Sequence, residues 1–133
     1  MGAKSKRIGK AGEKGLKELI VAKGWLLADK ETQGLAGDDL FARDPSGTWH
    51  SIEVKKVAIP GSRFIEQART QALEREYKVK EAIKTPNSIP AILGMTFDAS
   101  NWMLCWQPNG WGRWFAGYWI VFTRNGIEVW KES

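Results

Sequence analysis

The feature that most constrains this chain is a turn. Asp44-Pro45-Ser46-Gly47 separates two extended runs, Asp38 to Arg43 and Thr48 to Val57. Asp in the first place, Pro in the second and Gly in the fourth match a type I turn. With Gly47 in the left-handed conformation, the loop becomes a three-residue hairpin connection with a bulge. That register sets residue 44 opposite 48, and therefore Asp39 directly opposite Glu53. Residues paired in this way share a face, with Cβ atoms about 4.5–5.5 Å apart. Lys55 lies on the face of Glu53, whereas Ile52 and Val54 point to the core.

Two carboxylates facing each other across a hairpin repel unless a cation lies between them. A divalent metal with oxygen ligands resolves the repulsion, and Lys55 can neutralise a further anion. A surface hairpin with its charges in water is the alternative reading of the same residues. Composition narrows the metal chemistry. One Cys (Cys105) excludes a disulfide framework or a Cys-built site, and one His (His50) excludes a poly-His zinc centre. His50 itself reads as a turn-end residue and not as a general base.

The remaining segments frame this hairpin. Leu16, Leu19 and Ile20, closed by Gly24, predict an amphipathic helix from about Lys10 to Lys23, with residues 1–9 frayed. Trp25 to Ala28 reads as a short strand and Glu31 to Gly37 as a loop. After the break at Pro60-Gly61, a long helix runs from Ser62, its expected cap, to about Lys84, with Ile65, Ala68, Ala72, Val79 and Ile83 on one stripe. Ile89 to Phe97, nearly all apolar, reads as a central strand, and Trp102 to Trp106 as another. Tyr118 to Thr123 and Ile127 to Trp130 form a terminal hairpin around Arg124-Asn125-Gly126. The fold class is α/β, a mixed central β-sheet flanked by helices.

A length of 133 residues suits one domain. With 43% hydrophobic residues the chain can fill a core. No run of 18 apolar residues occurs, and the basic start lacks the apolar stretch of a signal peptide, so a cytoplasmic protein without a membrane span is expected. The chain carries 20 Lys+Arg against 15 Asp+Glu. Lys4, Lys6, Arg7, Lys10, Lys14, Lys17 and Lys23 crowd the first 23 residues against Glu13 and Glu18. Such an end suits a polyanion, with nucleic acid the usual candidate, although a solvated tail has the same composition.

Gly37-Asp38-Asp39-Leu40-Phe41-Ala42, followed by Ile52-Glu53-Val54-Lys55, resembles the signature of the PD-(D/E)XK (restriction-endonuclease-like) nucleases. The core of that superfamily, α-β-β-β-α-β, is also the order read above. Lys10 to Ile20, with Glu13 and the closing Gly24, is similar to the first helix of archaeal-type Holliday junction resolvases, a type also found in phages. The likeness spans roughly residues 8–84. It departs at Asp38, which stands where the family has Pro and leaves Asp38 or Asp39 as the ligand. Asp39 is chosen because it precedes Leu40 and shares a face with Glu53.

The resemblance implies a single nuclease domain with a basic arm (1–9), a catalytic core (10–97) and Trp-rich strands with a hairpin (98–133). It implies catalysis by Glu13, Asp39, Glu53 and Lys55. Mg²⁺ or Mn²⁺ would be held by Asp39, Glu53 and the Val54 carbonyl, with Glu13 joining directly or through water. Lys6, Arg7, Lys10, Lys14, Thr32 and Arg63 would contact DNA, and Gln67 or Gln71 would orient water or a phosphate. The implied substrate is the four-way DNA junction, cut symmetrically by a two-fold homodimer in a bacterial, archaeal or phage-infected cell. A virus-type replication-repair endonuclease acting on flaps or nicked duplexes is the alternative within the superfamily. A non-catalytic DNA-binding module of the same fold is the alternative outside catalysis. Eight Trp exceed the five Phe and two Tyr together, and six of them crowd the last third, where they suit core or interface, with Trp111 able to stack on a base.

Overall fold

The computed structural model describes residues 3–59, 61–110, 112 and 116–132, and for residues 3–11 the backbone alone. Trp111, Trp114 and the side chains of Lys6, Arg7 and Lys10 lie outside the described residues. Among the described residues no helix is long and apolar enough to cross a membrane.

The chain runs α1 (Ala3–Ala22), β1 (Leu26–Leu27), α2 (Lys30–Gln33), β2 (Leu40–Arg43), β3 (Trp49–Lys55), α3 (Ser62–Ala82), α4 (Ile89–Ile92), β4 (Trp102–Trp106), β5 (Tyr118–Thr123) and β6 (Gly126–Lys131). The six strands form one sheet in sequence order. All neighbours are antiparallel except β3 and β4, which pair in parallel across the α3 crossover. The fold is therefore α/β with a mixed sheet.

Local chemistry explains several boundaries. Gly24 ends α1 at φ +88°, and Trp25 N–H donates to the Ile20 carbonyl at 2.9 Å, a left-handed closure that favours glycine. The helix begins at Ala3, ahead of the expected Lys10. The α3 cap is Gly61, which makes no side-chain cap bond, and the expected cap Ser62 is the first helical residue. Ile89 to Phe97 is not a strand. Ser88 Oγ accepts from Ala91 N–H at 3.2 Å, Pro90 sits in the first turn of α4, and Gly94 follows at φ +60°. Pro90 cannot donate to a sheet ladder, so the run forms a short helix and β4 takes the central place.

The β2–β3 turn forms as its residues dictate. Asp44 N–H donates to Thr48 O at 2.8 Å, and Gly47 adopts φ +95°. Asp44 Oδ1 accepts from Ser46 N–H, Ser46 Oγ and Thr48 N–H, while Oδ2 meets His50 Nε2 at 2.8 Å. Burial opposes ionisation of Asp44, but the Ser46, His50 and Thr48 partners outweigh it and hold its pKa at about 2. His50 is thus a turn-end residue. Asp44→Ala is expected to destabilise the fold by about 1–2 kcal/mol at pH 6. Because the folded pKa is depressed, the wild-type advantage is complete above the ordinary value of 3.8 and is lost as pH falls toward 2. Urea unfolding of both proteins at pH 6 and 2.5 checks this; an equal difference at both values would refute the charged role.

Two cores flank the sheet. On one face α1 supplies Leu16, Leu19 and Ile20 to Leu40, Ala42, Ile52, Met103, Cys105, Trp119, Val121 and Trp130. On the other, α3 supplies Ala72 and Val79 to Phe41, Trp49, Met95 and Phe97. Phe41 stacks on Trp49 at 4.7 Å and meets Phe97 edge-on at 5.3 Å. Of the Trp-rich last third, Trp106, Trp119 and Trp130 are buried within the chain. Ile127 and Val129, opposite Phe122 and Ile120, stay 65% and 64% exposed, because α3 crosses β3 and β4 and leaves this half of its face bare.

Candidate metal centre

The observed register is the one that the turn dictates: Leu40 pairs with Ile52 and Phe41 with Ser51. One step further, Asp39 lies opposite Glu53. Ile52 faces α1, whereas Ser51 faces α3, where it reaches Asp38, so alternation turns Glu53 and Lys55 toward α3 as well. Asp39 Oδ2 accepts from Val54 N–H at 2.8 Å. The Lys55 ammonium lies 4.8 Å from the centre of the Phe64 ring, in the first turns of α3.

Burial and mutual repulsion disfavour ionising both acids at once. Glu53 is 3% exposed, and burial, followed by the charge of Asp39, pushes its pKa up to about 8 against the opposing pull of Lys55. Burial also raises Asp39, while Val54 N–H and Lys55 hold it back. Of the pair, Glu53 is the acid whose proton is held to the higher pH. Among the described residues no other cation pairs with either one.

Asp38 has a different task. Its carboxylate, 5% exposed, accepts from Arg75 Nε at 3.0 Å, Arg75 Nη2 at 2.5 Å and Ser51 Oγ at 2.7 Å. Those bonds occupy its oxygens, and this leaves Asp39 as the available acid. Thr32 does not reach solvent. At 1% exposure it cannot contact DNA, and its carbonyl accepts from Arg75 Nη1 at 2.5 Å. Arg75 is likewise buried and cannot reach a phosphate, whereas Arg63, Lys14 and Gln67 are exposed.

Gln71 is half-buried, and its Oε1 has no hydrogen-bond partner among the described residues. It follows Phe64 by seven residues and precedes Arg75 by four, on one helical stripe whose ends meet Lys55 and Asp38. The same Oε1 lies 3.0 Å from where a Cβ would stand on Gly37. Gln71 thus faces the strip of chain that carries the acids. Glu13 is half-buried on α1, whose packed side covers the opposite sheet face. Among the described residues no three His, Cys, Asp or Glu side chains gather. The structure brings together Asp39, Glu53 and Lys55, and it does not bring Glu13 into a cluster with the acids.

Asp39 and Glu53 offer oxygen ligands alone beside the Lys55 ammonium, and the Gln71 amide oxygen faces the adjoining Gly37. This set fits a hard divalent ion such as Mg²⁺, which takes one or two carboxylates and keeps several waters. The clamp made by Arg75, Gln33 and Ser51 is not among the residues that the sequence motifs single out. One signal for it exists, since Arg75 occupies the buried stripe between Ala72 and Val79. In comparisons with known proteins, no family model, no curated protein and no solved structure matches this chain.

Proposed function

We propose that the chain is a Mg²⁺-dependent, structure-selective DNA endonuclease with a PD-(D/E)XK core, resolving four-way junctions. The observation that carries this reading is the buried Glu53 set opposite Asp39, with Lys55 on the same face of the strand. The element order supports it: with the one-turn helices α2 and α4 set aside, the chain runs α1-β1-β2-β3-α3-β4. Asp39 and Glu53 would hold the ion, with the Val54 carbonyl. Bound Mg²⁺ or Mn²⁺ supplies Lewis acidity toward the scissile phosphate and makes water a better nucleophile. Lys55 would place its ammonium against the developing charge on the phosphate and orient the attacking water. Gln71 Oε1, without a hydrogen-bond partner among the described residues, would accept a hydrogen bond from that water. The basic first helix would grip phosphates of the arms without reading sequence.

Resolution needs two opposed cuts, and one chain supplies one site, so the active species would be a two-fold homodimer. The bare apolar half-sheet at Ile120, Phe122, Ile127 and Val129 is a self-complementary candidate for its surface. A cytoplasmic setting in a bacterial, archaeal or phage-infected cell accompanies this reading.

The deciding experiment incubates the protein with end-labelled four-way junction, flap, nicked duplex and linear duplex, in Mg²⁺ and in EDTA. Paired symmetrical cuts in the junction, in Mg²⁺ alone, are expected. Cutting confined to flaps or nicks would transfer the protein to the replication-repair type. Binding without any cleavage would make it a DNA-binding module, and cleavage in EDTA would reject the mechanism.

A further inference from the structure

Arg75 and Asp38 form an ion pair whose side chains are both fully buried. A buried pair of this kind adds little stability over apolar residues of equal volume, because desolvation offsets the attraction; its use lies in fixing geometry. Here the guanidinium ties three places together. Nε and Nη2 fork onto the two Asp38 oxygens, Nη1 reaches the Thr32 carbonyl, and Nη2 also reaches the Gln33 carbonyl at 2.8 Å. Gln33 then brackets the motif acid from both sides. Its Nε2 donates to the Asp38 carbonyl at 3.1 Å, and its Oε1 accepts from Phe41 N–H at 2.7 Å. Asp39 is the residue held between those anchors, with Val54 N–H fixing its carboxylate.

We propose that Arg75 is a positioning residue of the metal centre: through Asp38 and Gln33 it sets the Asp39 carboxylate opposite Glu53. The proposal rests on the metal-centre reading above. Arg75 touches neither Asp39 nor Glu53, so its effect travels by way of the backbone at Asp38. A guanidinium is required because only its planar fork serves a carboxylate and two carbonyls at once. An ammonium carries the same charge but cannot span them.

The test measures Mn²⁺ binding calorimetrically at pH 8.5, alongside thermal unfolding. The variants are Arg75→Lys, the apolar pair Asp38→Leu with Arg75→Leu, and Gln33→Met. The apolar pair leaves no unpaired buried charge, and Gln33→Met leaves the ion pair intact, so at least one folded variant is expected. Folded variants should bind Mn²⁺ about 10–100-fold more weakly than wild type, the loss typical when a ligand's supporting bonds are removed. Affinity within about twofold of wild type in any folded variant would overturn the positioning role and leave the clamp structural. Wild-type protein that binds no Mn²⁺ would instead remove the metal-centre reading itself.

Discussion

Glu53→Gln protein is expected to lose junction cleavage by about three orders of magnitude while binding the junction in EDTA as wild type does. The amide keeps the volume of Glu53 but cannot supply the charge that holds a divalent ion and its activated water. On the proposed reading, phosphate contacts would be made elsewhere, so binding should be spared. Metal-free stability should move the other way. Glu53 has a folded pKa of about 8, above its ordinary 4.5, so its stabilising contribution is complete below 4.5 and is lost as pH rises through 8. Gln does not titrate. In thermal unfolding with EDTA, the variant should therefore gain on wild type progressively from pH 5 to pH 8.5. A variant that cuts at the wild-type rate, or a stability gap independent of pH, would remove Glu53 from the site.

The second large effect is on metal affinity. A carboxylate must shed its proton to take a cation, and the proton held between Glu53 and Asp39 leaves near pH 8. Apparent Mn²⁺ affinity should thus rise about tenfold per pH unit up to roughly 8 and level off above it. From pH 6 to pH 8 this amounts to about a hundredfold. Calorimetry at pH 7 in two buffers of different ionisation enthalpy should count about one proton released per metal ion bound. Affinity flat from pH 6 to 9 would mean that the pair is already ionised, and would reject the shared proton. The cleavage rate at subsaturating metal should follow the same rise.

The parts of this site that are legible in the sequence are those governed by a few adjacent residues. Asp44, Pro45 and Gly47 impose one turn, and the turn fixes one register, so local residues bring position 39 opposite position 53. Gly24 reads as a helix stop for the same reason, since the left-handed φ it adopts is cheap only for glycine. Even the segment Ile89 to Phe97, whose apolar composition suggests a strand, carries its own correction. Ser88, Pro90 and Gly94 are helix-cap, first-turn and termination signals, and in the fold they outrank that composition.

Other features depend on segments that meet only after folding. The parallel partnership of β3 with β4 joins residues on either side of α3, and nothing near either strand encodes it. Of Asp38 and Asp39, it is Asp38 that Arg75, arriving from α3, engages. Thr32 reads as an accessible hydroxyl in the sequence, yet α2 and the clamp bury it. The raised pKa of Glu53 is likewise tertiary, because a carboxyl is deprived of water by every element packed around it. Short-range turn and pleat geometry thus sets which acid faces which. Which acid is clamped by a cation and which is pushed toward its protonated form emerges only on folding, because burial and ion pairing sum over groups far apart in the chain.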